Sequence, residues 1–91
     1  MNKCLRIFCT AEPIGDILRS FIQEHARKLG LEGTAQVVEG QIKIMVCGKK
    51  DDIDVFIDIL HAGNNKFSLS EIEIEPFFKE KDYRGVFRVI E

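Results

Sequence analysis

The chain lacks several things, and each lack removes a class of function. No segment approaches the roughly eighteen uninterrupted apolar residues of a membrane-spanning helix, so no membrane role is expected. The N-terminal stretch Met1 to Ile7 has no long apolar core and carries Arg6 within its pattern, which excludes a secretory signal. Cationic excess is absent too: 13 Lys and Arg stand against 15 Asp and Glu, for a net charge of -2. A surface of that balance cannot grip nucleic acid by neutralising phosphates, and the aromatic stacking pair of an RNA-recognition sheet is also missing. No nucleic-acid partner is expected.

Cysteine is scarce. Cys4, Cys9 and Cys47 are three in number, cannot all pair within one chain, and include no C-x-x-C arrangement. Cys4 and Cys9 are five apart on one strand pattern and face opposite sides, which rules out a local disulfide. The expectation is buried thiols in a reducing compartment, and so a cytoplasmic protein. His25 and His61 have no partner at metal-ligand spacing, so no metal and no cofactor are expected. There is no linker, repeat or low-complexity stretch; residues 1–91 form one domain, expected to be monomeric.

What is present is a clear succession of periodicities. Leu5, Ile7 and Cys9 alternate with Cys4, Arg6 and Phe8, which predicts a strand. Ile14, Ile17, Leu18, Phe21, Ile22, Ala26 and Leu29 then recur at helical spacing, and Gly30 suits a left-handed cap. Ala35 and Val37, then Ile42, Ile44 and Val46, form two alternating runs around a Glu39-Gly40 turn, the pattern of a hairpin. After Asp51 and Asp52, Ile53, Phe56, Ile57 and Leu60 predict a second helix ended at Gly63-Asn64-Asn65. Phe67 to Ile74 reads as a strand whose alternation slips between Leu69 and Ile72, as a bulge would cause. Val86 to Ile90 is a final short strand. Glu71, Glu73 and Glu75 read as a solvated strand face that discourages edge pairing.

The order is β-α-β-β-α-β with an extra terminal strand, and both helices need one sheet face to cover their apolar stripes. That predicts an α+β fold, the ferredoxin-like sandwich of an antiparallel sheet with two helices on one face and a short extra C-terminal strand. Such a fold hosts many functions and does not choose among them.

One arrangement points to chemistry. A turn-rich segment, Thr10 to Asp16, joins the first strand to the first helix, and Arg19 stands in that helix's first turn. Unpaired amide hydrogens, the positive helix end and a guanidinium together make an anion site, with Ile14, Gly15, Asp16 and Arg19 as its expected members. The plainer reading of Arg19 is an exposed helix arginine paired with Asp16 or Gln23. For Glu12 and Asp16 the plainer reading is turn and helix N-terminal residues rather than an acid pair.

These residues carry a resemblance to the acylphosphatases. Gly15-Asp16-Ile17-Leu18-Arg19-Ser20-Phe21 matches the end of that family's Gly-x-Val-Gln-Gly-Val-x-Phe-Arg motif. Ala26-Arg27-Lys28-Leu29-Gly30-Leu31-Glu32-Gly33 resembles its second motif, Leu-Gly-Leu-x-Gly-Trp-Val-x-Asn. Further matches follow in order at Glu39-Gly40, Gly48, Leu60-His61-Ala62-Gly63 and Phe87-Arg88-Val89. The resemblance implies hydrolysis of a carboxyl-phosphate without metal, in which loop amides and an arginine, here Arg19, hold the phosphoryl group while an asparagine orients water.

The asparagine has no clean counterpart. Counting forward from Gly33 the position is Val37; counting back from Gly40 it is Gln36, the catalytic candidate by side-chain chemistry. Alternation favours Val37 on the buried side with Ala35, and a bulge is needed to turn Gln36 toward the site. The loop departs in the same direction: Ala11 replaces a glycine, Pro13 lacks an N–H, Ile14 replaces glutamine, and Asp16 with Glu12 adds negative charge. The resemblance thus implies an acylphosphatase-like domain with weak or lost activity on a small anionic acyl phosphate. The alternative is a non-catalytic module binding a protein or small ligand through the open sheet face, with an apolar patch including Phe8 and Met45.

Overall fold

Alternation in the first strand sets the architecture. In β1 (Asn2–Glu12), Leu5, Ile7 and Cys9 are buried, whereas Arg6 and Phe8 point to the opposite face. The chain is seen in a computed structural model that describes residues 2–12, 15–38, 40–64, 66–78 and 84–90. The remaining elements are α1 (Asp16–Lys28), β2 (Glu32–Val38), β3 (Gln41–Lys49), α2 (Lys50–Ala62), β4 (Ser68–Pro76) and β5 (Phe87–Ile90).

The five strands form one sheet in the order β4-β1-β3-β2-β5. β1 pairs antiparallel with β3 and β4, β2 antiparallel with β3, and β5 parallel with β2. The expected ferredoxin-like sandwich is therefore present, and its extra strand lies beside β2 as an edge. Both helices cover one face. Helix α1 buries Leu18, Ile22 and Ala26, and α2 buries Ile53, Phe56 and Leu60, each set recurring at helical spacing. These side chains meet Ile7, Ile42, Ile44, Val46 and Phe87 in one core. Complete burial of each such leucine, isoleucine or phenylalanine contributes about 1.5–3 kcal/mol.

Helix α1 stops where the sequence indicates. Gly30 adopts φ +67°, Leu31 N–H donates to Ala26 O and Gly30 N–H to Arg27 O, both at 3.0 Å. This is a Schellman cap, and it turns the chain directly into β2. Gly33 is required for a different reason: at φ +139°, a Cβ there would stand 1.8 Å from the Met45 carbonyl oxygen.

The slip expected in the fourth strand is a bulge. Phe8 pairs with Glu73 but Thr10 with Ser70, so β4 spends one extra residue there, and Glu71 takes φ +52°. The insertion keeps Leu69, Ile72 and Ile74 on the helix-covered side. The strand itself begins at Ser68; Phe67, expected to open it, forms an isolated bridge with Asn64 instead.

The expectation of three free thiols is corrected. Cys4 and Cys47 are directly opposed across β1 and β3 and form a disulfide, and Cys9 alone is free. Spacing within one strand excludes only a Cys4–Cys9 bond. The pairing that occurs depends on the register of two strands 43 residues apart in the chain. Cys9 keeps the expected role of a buried thiol, and burial raises its pKa to about 11.

Candidate anion site beside the first helix

Gly15 is the N-terminal cap of α1, in extended conformation, with no side-chain hydrogen bond to the helix amides; its carbonyl accepts the first helical bond from Arg19 N–H at 3.1 Å. The first-turn amides of α1 thus receive no cap from Gly15, and the positive helix end lies at the segment where the sequence placed an anion. Ile14, the remaining expected member, lies outside the described residues. Asp16 opens the helix with its side chain fully exposed, and its carboxylate is 3.5 Å from the Arg19 guanidinium. A contact so long and so exposed contributes little and does not hold the arginine in place.

Arg19 itself is largely covered. It lines a groove between α1 and the edge strand β5, together with Ser20, Gln23, Glu24, Arg27 and Val89. Arg27 Nη2 reaches the Phe87 carbonyl at 3.5 Å. With its carboxamide turned to accept, Gln23 Oε1 lies 2.9 and 3.1 Å from the two terminal nitrogens of Arg27. Neither Gln23 as an acceptor for Arg27 nor Arg27 as a second cation was singled out from sequence. The signal was there in their spacing, Arg19, Gln23, Arg27 at steps of four along one helix, but only the position of β5 makes that stripe a groove.

The Gln36 and Val37 alternatives are resolved by register. Pairing of β2 with β3 runs unbroken from Glu32 opposite Cys47 to Val38 opposite Gln41. No bulge turns Gln36 round. It is exposed on the open face, pairs with Lys43, and lines a cleft there with Phe8, Thr10, Lys43, Glu71 and Glu73. Val37 packs against the core on the helix-covered side, two residues beyond Ala35, which pairs with the groove residue Val89. The structure therefore does not bring Gln36 to Arg19: the carboxamide and the guanidinium lie on opposite faces, because neighbouring strand residues alternate. The side chain carried to Arg19's side of the sheet is valine.

With this geometry in view, the family model of acylphosphatase matches residues 16–89, and the chain belongs to the acylphosphatase family. It is 33% identical over 73 residues to an acylphosphatase of Methanococcoides burtonii, covering 79% of this chain and 76% of that one. An acylphosphatase of Staphylococcus haemolyticus is 29% identical over 83 residues, covering 90% and 91%. Among solved structures, the acylphosphatase of Bacillus subtilis superposes with a TM-score of 0.86 at 20% identity and full coverage of both chains. At that identity the structural likeness speaks for the fold alone. No helix among the described residues is long and apolar enough to cross a membrane.

Proposed function

We propose that this domain binds the phosphoryl group of acyl phosphates at Arg19 and the start of α1, and hydrolyses them weakly. Water attacks phosphorus, the bond from phosphorus to the acyl oxygen breaks, and the products are a carboxylate and inorganic phosphate. The guanidinium and the helix amides neutralise charge spreading over the phosphoryl oxygens without metal or cofactor. The reading is carried by one observation: Arg19 sits partly buried at the helix start beside an open groove, while Val37, on its side of the sheet, has no group to orient water. The anion's affinity is further limited by Asp16. The proposed ligand is a small anion taken up by a monomer, with no nucleic-acid partner.

The test is hydrolysis of benzoyl phosphate and acetyl phosphate, with phosphate binding followed by NMR. Slow turnover and phosphate-induced shifts near Gly15, both lost in Arg19→Ala, are the expected results. Rapid turnover by the unmodified protein would overturn the weak-activity reading; binding indifferent to Arg19→Ala would overturn the site. Cytoplasmic residence belongs to the same proposal, although the Cys4–Cys47 disulfide removes the free-thiol argument for it; Cys4 and Cys47 found oxidised when thiols are alkylated in rapidly quenched cells would overturn it.

A second reading, a non-catalytic small-ligand module, is favoured by the open-face cleft, where Phe8 is 38% exposed between Lys43 and Glu73. Ligand binding that survives Arg19→Ala and disappears in Phe8→Ala would select it.

A further inference from the structure

The groove beside α1 is lined by a second arginine besides the one at the helix start. Arg19 and Arg27 both line it, eight residues apart, which separates their Cα atoms by ~12 Å along the helix axis. The two side chains differ in situation. Arg19 stands at the positive helix end, where a phosphoryl group is held on the reading above. Arg27 is in the last turn and exposed, oriented by the Gln23 carboxamide, with the Phe87 carbonyl of β5 at a longer 3.5 Å. The Gln23 contacts engage one N–H on each terminal nitrogen and leave donors of the five for another acceptor. Between the two arginines the groove offers the Ser20 hydroxyl on the helix side and the apolar Val89 on the strand side. A wall of that kind suits methylene groups. Among the described lining residues Glu24 is the opposing charge to the two arginines, and the exposed Asp16 carboxylate lies 3.5 Å from Arg19.

We propose that Arg27 forms a second anionic subsite, so that the acyl phosphates this chain prefers carry a carboxylate, or another anionic group, at the far end of a short acyl chain. The phosphoryl end lies at Arg19, the methylenes along Val89, and the terminal anion at Arg27. The assignment of the phosphoryl end rests on the function proposed above; the pairing of two anionic ends across the groove does not require catalysis.

The experiment has two arms. In the first, kcat/KM is compared for succinyl phosphate and acetyl phosphate, which differ in the terminal carboxylate. The unmodified protein should prefer succinyl phosphate, and Arg27→Gln should lower that preference roughly five-fold, the upper range of a solvent-screened charge pair. In the second arm, binding of phosphonobutyrate with a terminal carboxylate is compared with butylphosphonate by calorimetry. The same loss of discrimination is expected in Arg27→Gln, and Glu24→Gln should raise affinity for the carboxylate ligand. A wild-type protein that does not discriminate within either pair, or discrimination untouched by Arg27→Gln, overturns the proposal. Absence of hydrolysis with Arg27-dependent binding of phosphonobutyrate overturns the enzymatic reading and upholds the subsite.

Discussion

Gln36 and Val37 are adjacent in the chain yet lie on opposite faces of the sheet, the amide over the open cleft and the isopropyl group toward the helices. A water-orienting carboxamide should therefore work at one position and not the other. Val37→Asn is expected to raise acyl phosphate turnover roughly ten-fold or more, as a positioned group does when it aligns a nucleophile. Gln36→Asn, which places the same side chain one residue away, should give no such gain. Steady-state assays on benzoyl phosphate compare the two.

At Gly33 the backbone of β3 leaves no room for a side chain on β2. Because a Cβ there would meet the Met45 carbonyl oxygen at 1.8 Å, and φ is +139°, Gly33→Ala combines a clash with backbone strain. A loss of about 3 kcal/mol or more is expected in urea unfolding. Gly48→Ala meets only the Leu31 side chain, at 2.4 Å, and a side chain can move. Its cost should be smaller, about 1–2 kcal/mol.

The cysteines should respond to alkylation in three steps. The native, unreduced protein should take up no label, since Cys9 is buried with its pKa raised to about 11 and the other two are paired. Denaturation should expose one thiol, and denaturation with reductant three. Mass spectrometry counts them. Because the folded-state pKa of Cys9 exceeds the ordinary thiol value, the stability linked to its protonated form is complete below that value. It should fall as pH rises from about 9 toward 11, the span between the ordinary and the folded value.

Asp54 joins α2 to both a helical neighbour and β1. Lys50 Nζ donates to one carboxylate oxygen at 2.8 Å and Lys3 Nζ to the other at 3.4 Å. The Lys50 hydrogen bond is the main reason that its carboxyl pKa lies below the usual value, opposed by desolvation and helped by Lys3. The linked stability is present above the unfolded carboxyl pKa and lost as pH falls through the folded one. In an NMR titration the Asp54 midpoint should rise in Lys50→Met, with little change in stability, because the pair is exposed.

Much of the molecule was legible in sequence for a physical reason. Leu18, Ile22 and Ala26 recur every four residues, and Leu5, Ile7 and Cys9 every two, so each element's buried face was marked locally. Gly30 announced its cap, and the break between Leu69 and Ile72 announced the bulge at Glu71. The order of those elements then implied the sandwich. Arg19 was also visible, because a charge in a helix's first turn is defined by nearby residues. Less visible was anything that needs two distant segments. Cys47 reaches Cys4 only through the β1–β3 register, and Arg27 became part of a groove only when β5 took the edge beside β2.

The sequence by itself determined where strands and helices run, which of their faces turn inward, and where an arginine meets a helix start, since all of these follow from periodicities and turn chemistry within a few residues. Tertiary structure alone decided that valine rather than glutamine shares Arg19's side, that two cysteines close a bond, and that two arginines border one groove. Strand alternation turns one residue of register into a change of face, and register is fixed by pairing between segments that no local pattern compares.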